Sequence, residues 1–150
     1  MSKNFFDIQN ATFTASENNK VNNVNLSIEK EGEIISLLGP SGIGKTTILR
    51  TIAGLQKLQS GKILLNDKII SSKEYNLEPE KRNIALSFQD NCLFPNYNIL
   101  DNINFGAKRR KSAKFKYVAD DLIKILHLEG LKKKFPHQIS AGEAQRVSIA

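Results

Sequence analysis

One stretch, Gly39-Pro40-Ser41-Gly42-Ile43-Gly44-Lys45-Thr46, constrains this chain more than any other. It follows the apolar run Ile34-Ile35-Ser36-Leu37-Leu38 and leads into Thr47-Ile48-Leu49. The apolar run reads as a buried strand, and Ile48, Leu49 and Ile52 recur at helical spacing behind the loop. A strand, a glycine-rich turn and a helix in that order make an anion cradle. The glycines let backbone N–H groups turn toward phosphate oxygens with no Cβ in the way, and the helix N-terminus adds partial positive charge. Lys45 carries an ammonium to the outer phosphates, and the Thr46 hydroxyl is a ligand for Mg²⁺. Gly39, Pro40, Ser41, Gly42, Ile43, Gly44, Lys45, Thr46 and Thr47 are therefore the candidates for holding a nucleoside triphosphate.

The rest of the composition is that of an ordinary globular domain. Of 150 residues, 40% are hydrophobic and 25% charged, enough for one domain with a real core. No apolar run approaches the ~18 residues of a membrane span, and no basic-then-apolar leader opens the chain. The lone Cys92 excludes an internal disulfide, fits a reducing cytosol and reads as a small buried hydrophobe. The net charge of +7 is local. Lys108, Arg109, Arg110, Lys111, Lys114 and Lys116 have no acid among them, and Lys132, Lys133 and Lys134 add to the excess. The other 13 basic residues face 15 acids, so the remainder is close to balanced. Such a run reads as a solvated face. Only Phe115 and Tyr117 interleave with it and no RNA-binding signature accompanies it, so no specific nucleic-acid partner is expected.

Residues 3 to 28 read as strands: Phe5, Phe6 and Ile8, then Ala11 to Ala15, a turn at Ser16-Glu17-Asn18-Asn19, then alternating Val24, Leu26 and Ile28. Gly54 is placed to cap the helix that begins at Lys45. Short strands are expected at Lys62 to Leu65 and Lys68 to Ile70, joined by an Asn66-Asp67 turn, with a loop from Ser71 to Asn83. Ile84-Ala85-Leu86-Ser87-Phe88 reads as a second buried strand, ending at Gln89. Helices follow. Ile99, Leu100, Ile103 and Phe105 form a short one with Asn98 as N-cap. Phe115, Val118, Ala119, Leu122 and Leu126 mark one face of a longer one that closes near Gly130. Asp120-Asp121 reads as a solvated helix face, and His127 and His137 have no partner at metal spacing.

Near the end, Ser140-Ala141-Gly142-Glu143 has the pattern of a capping box ahead of the helix Val147-Ser148-Ile149-Ala150. A helix N-terminus with Ser and Gly exposed is also an anion site. The order decides between these readings: phosphate loop, strand ending in Gln89, helical insert, then this motif. In that succession the chain resembles the nucleotide-binding subunit of ABC transporters, over essentially its whole length. The resemblance makes Gly39 to Thr46 the Walker A loop and Gln89 the Q-loop glutamine, which touches Mg²⁺ and senses the membrane partner. It makes Ile139-Ser140-Ala141-Gly142-Glu143, followed by Gln145-Arg146, the signature, a variant of the usual Leu-Ser-Gly-Gly-Gln. Ser140 and Gly142 are then expected to contact the γ-phosphate of ATP held by a second subunit, and Phe13 to stack on adenine. Leu93-Phe94-Pro95 looks most like bacterial importers of small solutes and metal ions.

The resemblance implies an α/β P-loop NTPase fold with an N-terminal antiparallel β-subdomain, a parallel core sheet and a helical insert ending in the signature helix. Residues 1–89 form the β-rich core and residues 90–150 the helical subdomain. The expected cofactors are ATP and Mg²⁺, with Lys45 and Gln89 as catalytic groups and Thr46 and Gln89 as metal ligands. The expected partners are transmembrane permease subunits and a second ATPase subunit sandwiching ATP, at the cytoplasmic face of the membrane. The family's pattern continues beyond the signature helix into a strand ending in Asp-Glu, which holds Mg²⁺ and polarises the attacking water. These 150 residues contain no such strand, so the chain is expected to be a truncated domain that binds ATP and hydrolyses it poorly alone. The alternative is a nucleotide-binding module without turnover that docks on a membrane protein or a complete ATPase.

Overall fold

The computed structural model describes residues 4–16, 19–88, 90–105 and 113–150. The chain divides into two compact units, Met1–Leu86 and Ser87–Ala150. The first unit is built on a four-stranded antiparallel sheet in the order β2-β1-β3-β4. Its strands are β1 (Phe6–Ser16), β2 (Asn19–Ile28), β3 (Ser60–Leu65) and β4 (Lys68–Ser72). Helix α1 (Lys45–Ile52) packs on this sheet through Ile48.

A single strand runs where the sequence indicates two short apolar pieces, because β1 carries an irregularity that changes which residues face inward. Phe6 and Ile8 are buried, and so are Ala11 and Phe13, although a strict alternation from Phe6 would turn the second pair outward. The pairing register shifts between Ile8 and Ala11, where Asn10 takes a φ of 47°. One extra residue there restores the apolar face. Strand β2 makes the same adjustment opposite, with Asn23 at φ 54° between Val21 and Val24. The β3–β4 turn is the tight one its residues call for: Asn66 and Asp67 both have positive φ, 50° and 62°, which matches the twist of the strands it joins.

The core of this unit holds Phe6, Ile8, Ala11, Phe13, Ile48, Leu58, Ile63 and Ile70. Two segments expected as buried parallel strands are not strands in the structure. Ile34 to Leu38 and Ile84 to Phe88 have no regular secondary structure, and Ile34 and Leu38 are 93% and 87% exposed. A parallel strand needs hydrogen-bonded neighbours and cover on both faces. Among the described residues no strand pairs with either segment.

The second unit is helical. It contains α2 (Ile99–Ile103), α3 (Ala113–Ile125) and α4 (Ala141–Ile149), with single 3₁₀ turns at Glu129–Leu131 and Pro136–Gln138. Its core is Ile99, Ile123, Leu128, Leu131 and Val147. Of the α3 side chains that are described, Ala119 and Ile123, four residues apart, face inward, with Leu122 half-buried beside them; the side chains of Phe115 and Val118 lie outside the described ones. Asn98 caps α2, its side chain accepting from the Asp101 N–H at 2.8 Å. Cys92, expected inside, is exposed. It lies in an irregular stretch at φ 45°, outside the core of its unit. Among the described residues no helix is long and apolar enough to cross a membrane.

Candidate functional site

The phosphate-type loop leaves Leu38, turns at Ser41-Gly42 and enters α1 at Lys45, with Gly39 to Ile43 all exposed. Gly44 is the N-cap, and it is the one buried residue of the loop. Its φ is 105°, and a Cβ there would stand 2.6 Å from Val21 Cγ2. Only glycine meets both conditions: a left-handed backbone and a closely packed hairpin behind it. The helix start is left without a side-chain cap. Gly44 has no side chain to offer, and no acid lies in the first turn. No carboxylate of the first turn neutralises the partial positive charge at the start of α1.

Lys45 is half-buried, and its Nζ donates to the carbonyls of Gly39 and Pro40, each at 2.7 Å. The ammonium therefore lies across the loop mouth and closes the loop on itself. An anion entering the loop would exchange these neutral acceptors for charged ones, which bind an ammonium roughly twice as strongly. Thr46 is exposed on the first turn. The Thr47 carbonyl accepts from Thr51 Oγ1 at 2.9 Å, which ties the first turn of α1 to the last. A cavity of about 570 Å³ in the same unit has a mostly apolar lining, including Phe6, Leu26, Ile28 and Ile52, with Glu31 at its edge. Its lining includes no lysine, arginine or histidine to meet a phosphate.

The second candidate region lies in the other unit. Ser140 is the N-cap of α4 and forms a complete capping box with Glu143. The Ser140 N–H donates to Glu143 Oε2 at 2.7 Å, the Ser140 hydroxyl donates to the same oxygen at 2.9 Å, and the Glu143 N–H donates to Ser140 Oγ at 3.3 Å. The backbone N–H and then the hydroxyl of Ser140 hold the Glu143 carboxyl below the ordinary glutamate value. Ser140 and Gly142 are both exposed. Arg146 Nε donates to the Leu126 carbonyl at 3.1 Å and anchors α4 to the end of the preceding helix.

Two of the expected site residues fare differently. Phe13 is fully buried, in one core with Ile8, Ile48 and Ile63, so neither ring face is open to a base. The register shift in β1 turns it inward. Gln89 lies outside the described residues, as do Lys108, Arg109, Arg110 and Lys111 of the basic run. Sequence reasoning missed Val21 and Ala15, which back Gly44 from the hairpin, because a short aliphatic in a strand carries no signal of what it faces. Among the described residues no group of three or more His, Cys, Asp or Glu side chains is placed to hold a metal.

Residues 21–150 match the family model described as ABC transporter. The chain is 38% identical over 149 residues to the Fe(3+) ions import ATP-binding protein FbpC of Photobacterium profundum, covering 98% of this chain and 41% of that protein. It therefore spans about two-fifths of that relative's length. Among solved structures it superposes on cbiO1 from Clostridium perfringens, described as part of the ABC transporter complex cbiONQ. The TM-score there is 0.80 at 28% identity, over 98% of this chain and 60% of that one. It also superposes on the ATP-binding cassette MJ0796, solved as a dimer in a post-hydrolysis state bound to ADP and Pi. That TM-score is 0.75 at 28% identity, over 96% of this chain and 67% of that one.

Proposed function

This chain belongs to the ABC transporter family, and on that premise we propose that it is the nucleotide-binding part of an importer's ATPase subunit, binding ATP at Gly39–Thr46. The observation that carries this reading is the start of α1: its first turn has no acid and no side-chain cap, and among the described residues the Lys45 ammonium is held beside it on two neutral carbonyls. An N-terminal partial charge and an ammonium converging on a glycine turn suit the polyphosphate of a nucleotide.

The division of labour follows from the side chains. Backbone N–H groups of the loop and of the first turn of α1 bind and orient the phosphates, and Lys45 moves from the Gly39 and Pro40 carbonyls onto the outer ones. Thr46, exposed on that turn, and Gln89 are the residues that would hold Mg²⁺, which supplies charge neutralisation on the phosphates when bound. Ser140 and Gly142 are assigned to the γ-phosphate of ATP carried by a second ATPase subunit. Their exposure at the start of α4 supports this, as does the dimeric form of a related cassette. Permease subunits in the membrane are the proposed partners of the assembly, with this chain on the cytoplasmic face.

Lys45→Ala tests the reading. Titration of the full chain with fluorescent ATP and Mg²⁺ should show saturable binding that the substitution abolishes. Equal affinity in a folded Lys45→Ala chain would overturn it.

A further inference from the structure

Arg82 is the largest fully buried side chain of the described residues, 1% exposed, and it lies in a stretch that reads from sequence as a polar loop. It has no carboxylate among its hydrogen-bond partners. Instead, its whole fork is occupied by neutral oxygens. Nε donates to the Leu77 carbonyl at 2.7 Å. Nη1 donates to the carbonyls of Thr51 at 3.0 Å and Ile52 at 2.8 Å. Nη2 donates to Ser71 Oγ at 2.9 Å and Asn76 Oδ1 at 2.7 Å. Burial draws the guanidinium below its ordinary pKa, but an arginine does not give up its proton in a protein. A charge left in this position needs a compensating field, and the end of a helix supplies one. Thr51 and Ile52 are in the last turn of α1, where the helix dipole is negative; the Thr51 carbonyl, which also accepts from the Gly54 N–H at 3.0 Å, offers Arg82 its second lone pair.

The packing around the fork is equally specific. A Cβ on Gly54 would stand 2.5 Å from Arg82 Nε and 2.9 Å from its Cζ, and Gly54 has a φ of 88°. Gly54, one residue past the Ala53 C-cap of α1, is therefore the residue that leaves room for the guanidinium. From there the connection to the phosphate loop is short and stiff. Helix α1 has eight residues, a rod of about 12 Å. Within it the Thr51 hydroxyl reaches back to the Thr47 carbonyl, next to Thr46.

We propose that Arg82 is a positioning residue for nucleotide binding: it pins the C-terminal end of α1 to β4 and to the Asn76-Leu77 segment bridged to it, and so sets where the loop at the other end of α1 stands. The inference rests on the assignment of the nucleotide to Gly39–Thr46. Lysine cannot replace it, because one ammonium with three donors cannot serve acceptors that lie around a planar five-donor fork.

The test is Mg²⁺–ATP affinity of the full chain, measured for wild type, Arg82→Lys and Arg82→Ala, with circular dichroism confirming the fold of each. Folded Arg82→Lys should bind ATP about tenfold more weakly, and methylguanidinium should restore part of the affinity of Arg82→Ala while leaving wild type unchanged. Arg82→Lys that is folded and binds ATP within twofold of wild type overturns the inference and leaves the nucleotide assignment standing. A wild-type chain that binds no ATP overturns the assignment and this inference with it. Where neither Arg82 variant folds, Ser71→Ala decides, since it keeps the guanidinium and removes one acceptor. A loss of about threefold or more in ATP affinity supports the positioning role, and an unchanged affinity overturns it.

Discussion

At Gly44 two constraints act on one residue, a φ of 105° and a packing gap that leaves a Cβ 2.6 Å from Val21 Cγ2. They can be separated experimentally. Gly44→Ala should destabilise the chain by roughly 1–3 kcal/mol, the scale of a forced left-handed backbone plus a local clash, and weaken ATP binding. Adding Val21→Ala removes the clash but not the strain, so the double variant should recover part of the stability and no more. Urea denaturation of the two variants measures this, and full recovery would show that backbone strain is absent. Lys45 stands on the other side of the same loop, where its ammonium makes two bonds to neutral carbonyls. An interaction so easily exchanged for charged oxygens costs little to break, which suits a group that must change partners when a nucleotide arrives.

Among the elements, α4 has a titrating group closing its start. Glu143 accepts from both the backbone N–H and the hydroxyl of Ser140 and is held below the ordinary glutamate value. A carboxyl whose pKa is lower in the folded state contributes stability that is fully present above its unfolded value. That contribution disappears as the pH falls through the lowered one. The start of α4 should therefore fray only on acidification below the ordinary glutamate range. Side-chain NMR titration of Glu143 checks the sign. Ser140→Ala should return the titration toward the ordinary value and cost the helix about 1 kcal/mol, the usual loss of an N-cap. A Glu143 titration that Ser140→Ala leaves unmoved would contradict the capping account. Any phosphate recruited to Ser140 must compete with Glu143 for its hydroxyl proton and its N–H.

At the scale of the molecule, the described residues form two cores with different contents, one centred on Phe13, Ile8 and Ile63 and the other on Ile99, Ile123 and Leu128. Phe13→Ala should cost about 3–5 kcal/mol, the range for an aromatic removed from a core. The loss should appear as faster amide exchange in β1 to β4, with the protection of α2 to α4 retained. Ile123→Ala, at about 2–5 kcal/mol, should do the reverse. Hydrogen-exchange mass spectrometry reads both, and a Phe13→Ala chain that keeps its β-unit protection and loses only ATP affinity would restore Phe13 as a base-stacking residue.

Sequence alone determined what depends on a few neighbouring residues. The helix from Lys45, the Asn66-Asp67 turn, the Asn98 cap and the Ser140–Glu143 box each lie where their residues indicate. Caps and turns are closed by bonds across about two to four positions, so their chemistry is written locally. Tertiary structure decided the rest. Asn10 and Asn23 change the facing of two strands and carry Phe13 inside, which a period of two cannot anticipate. Ile34–Leu38 and Ile84–Phe88 have the composition of buried strands, but pairing is a property of the neighbour and not of the segment. Arg82 reads as one more surface charge until Thr51, thirty-one residues away, is brought against it. Burial of that guanidinium depends on oxygens supplied by a helix end, a strand and the segment bridged to that strand, and no short window of the sequence contains them together.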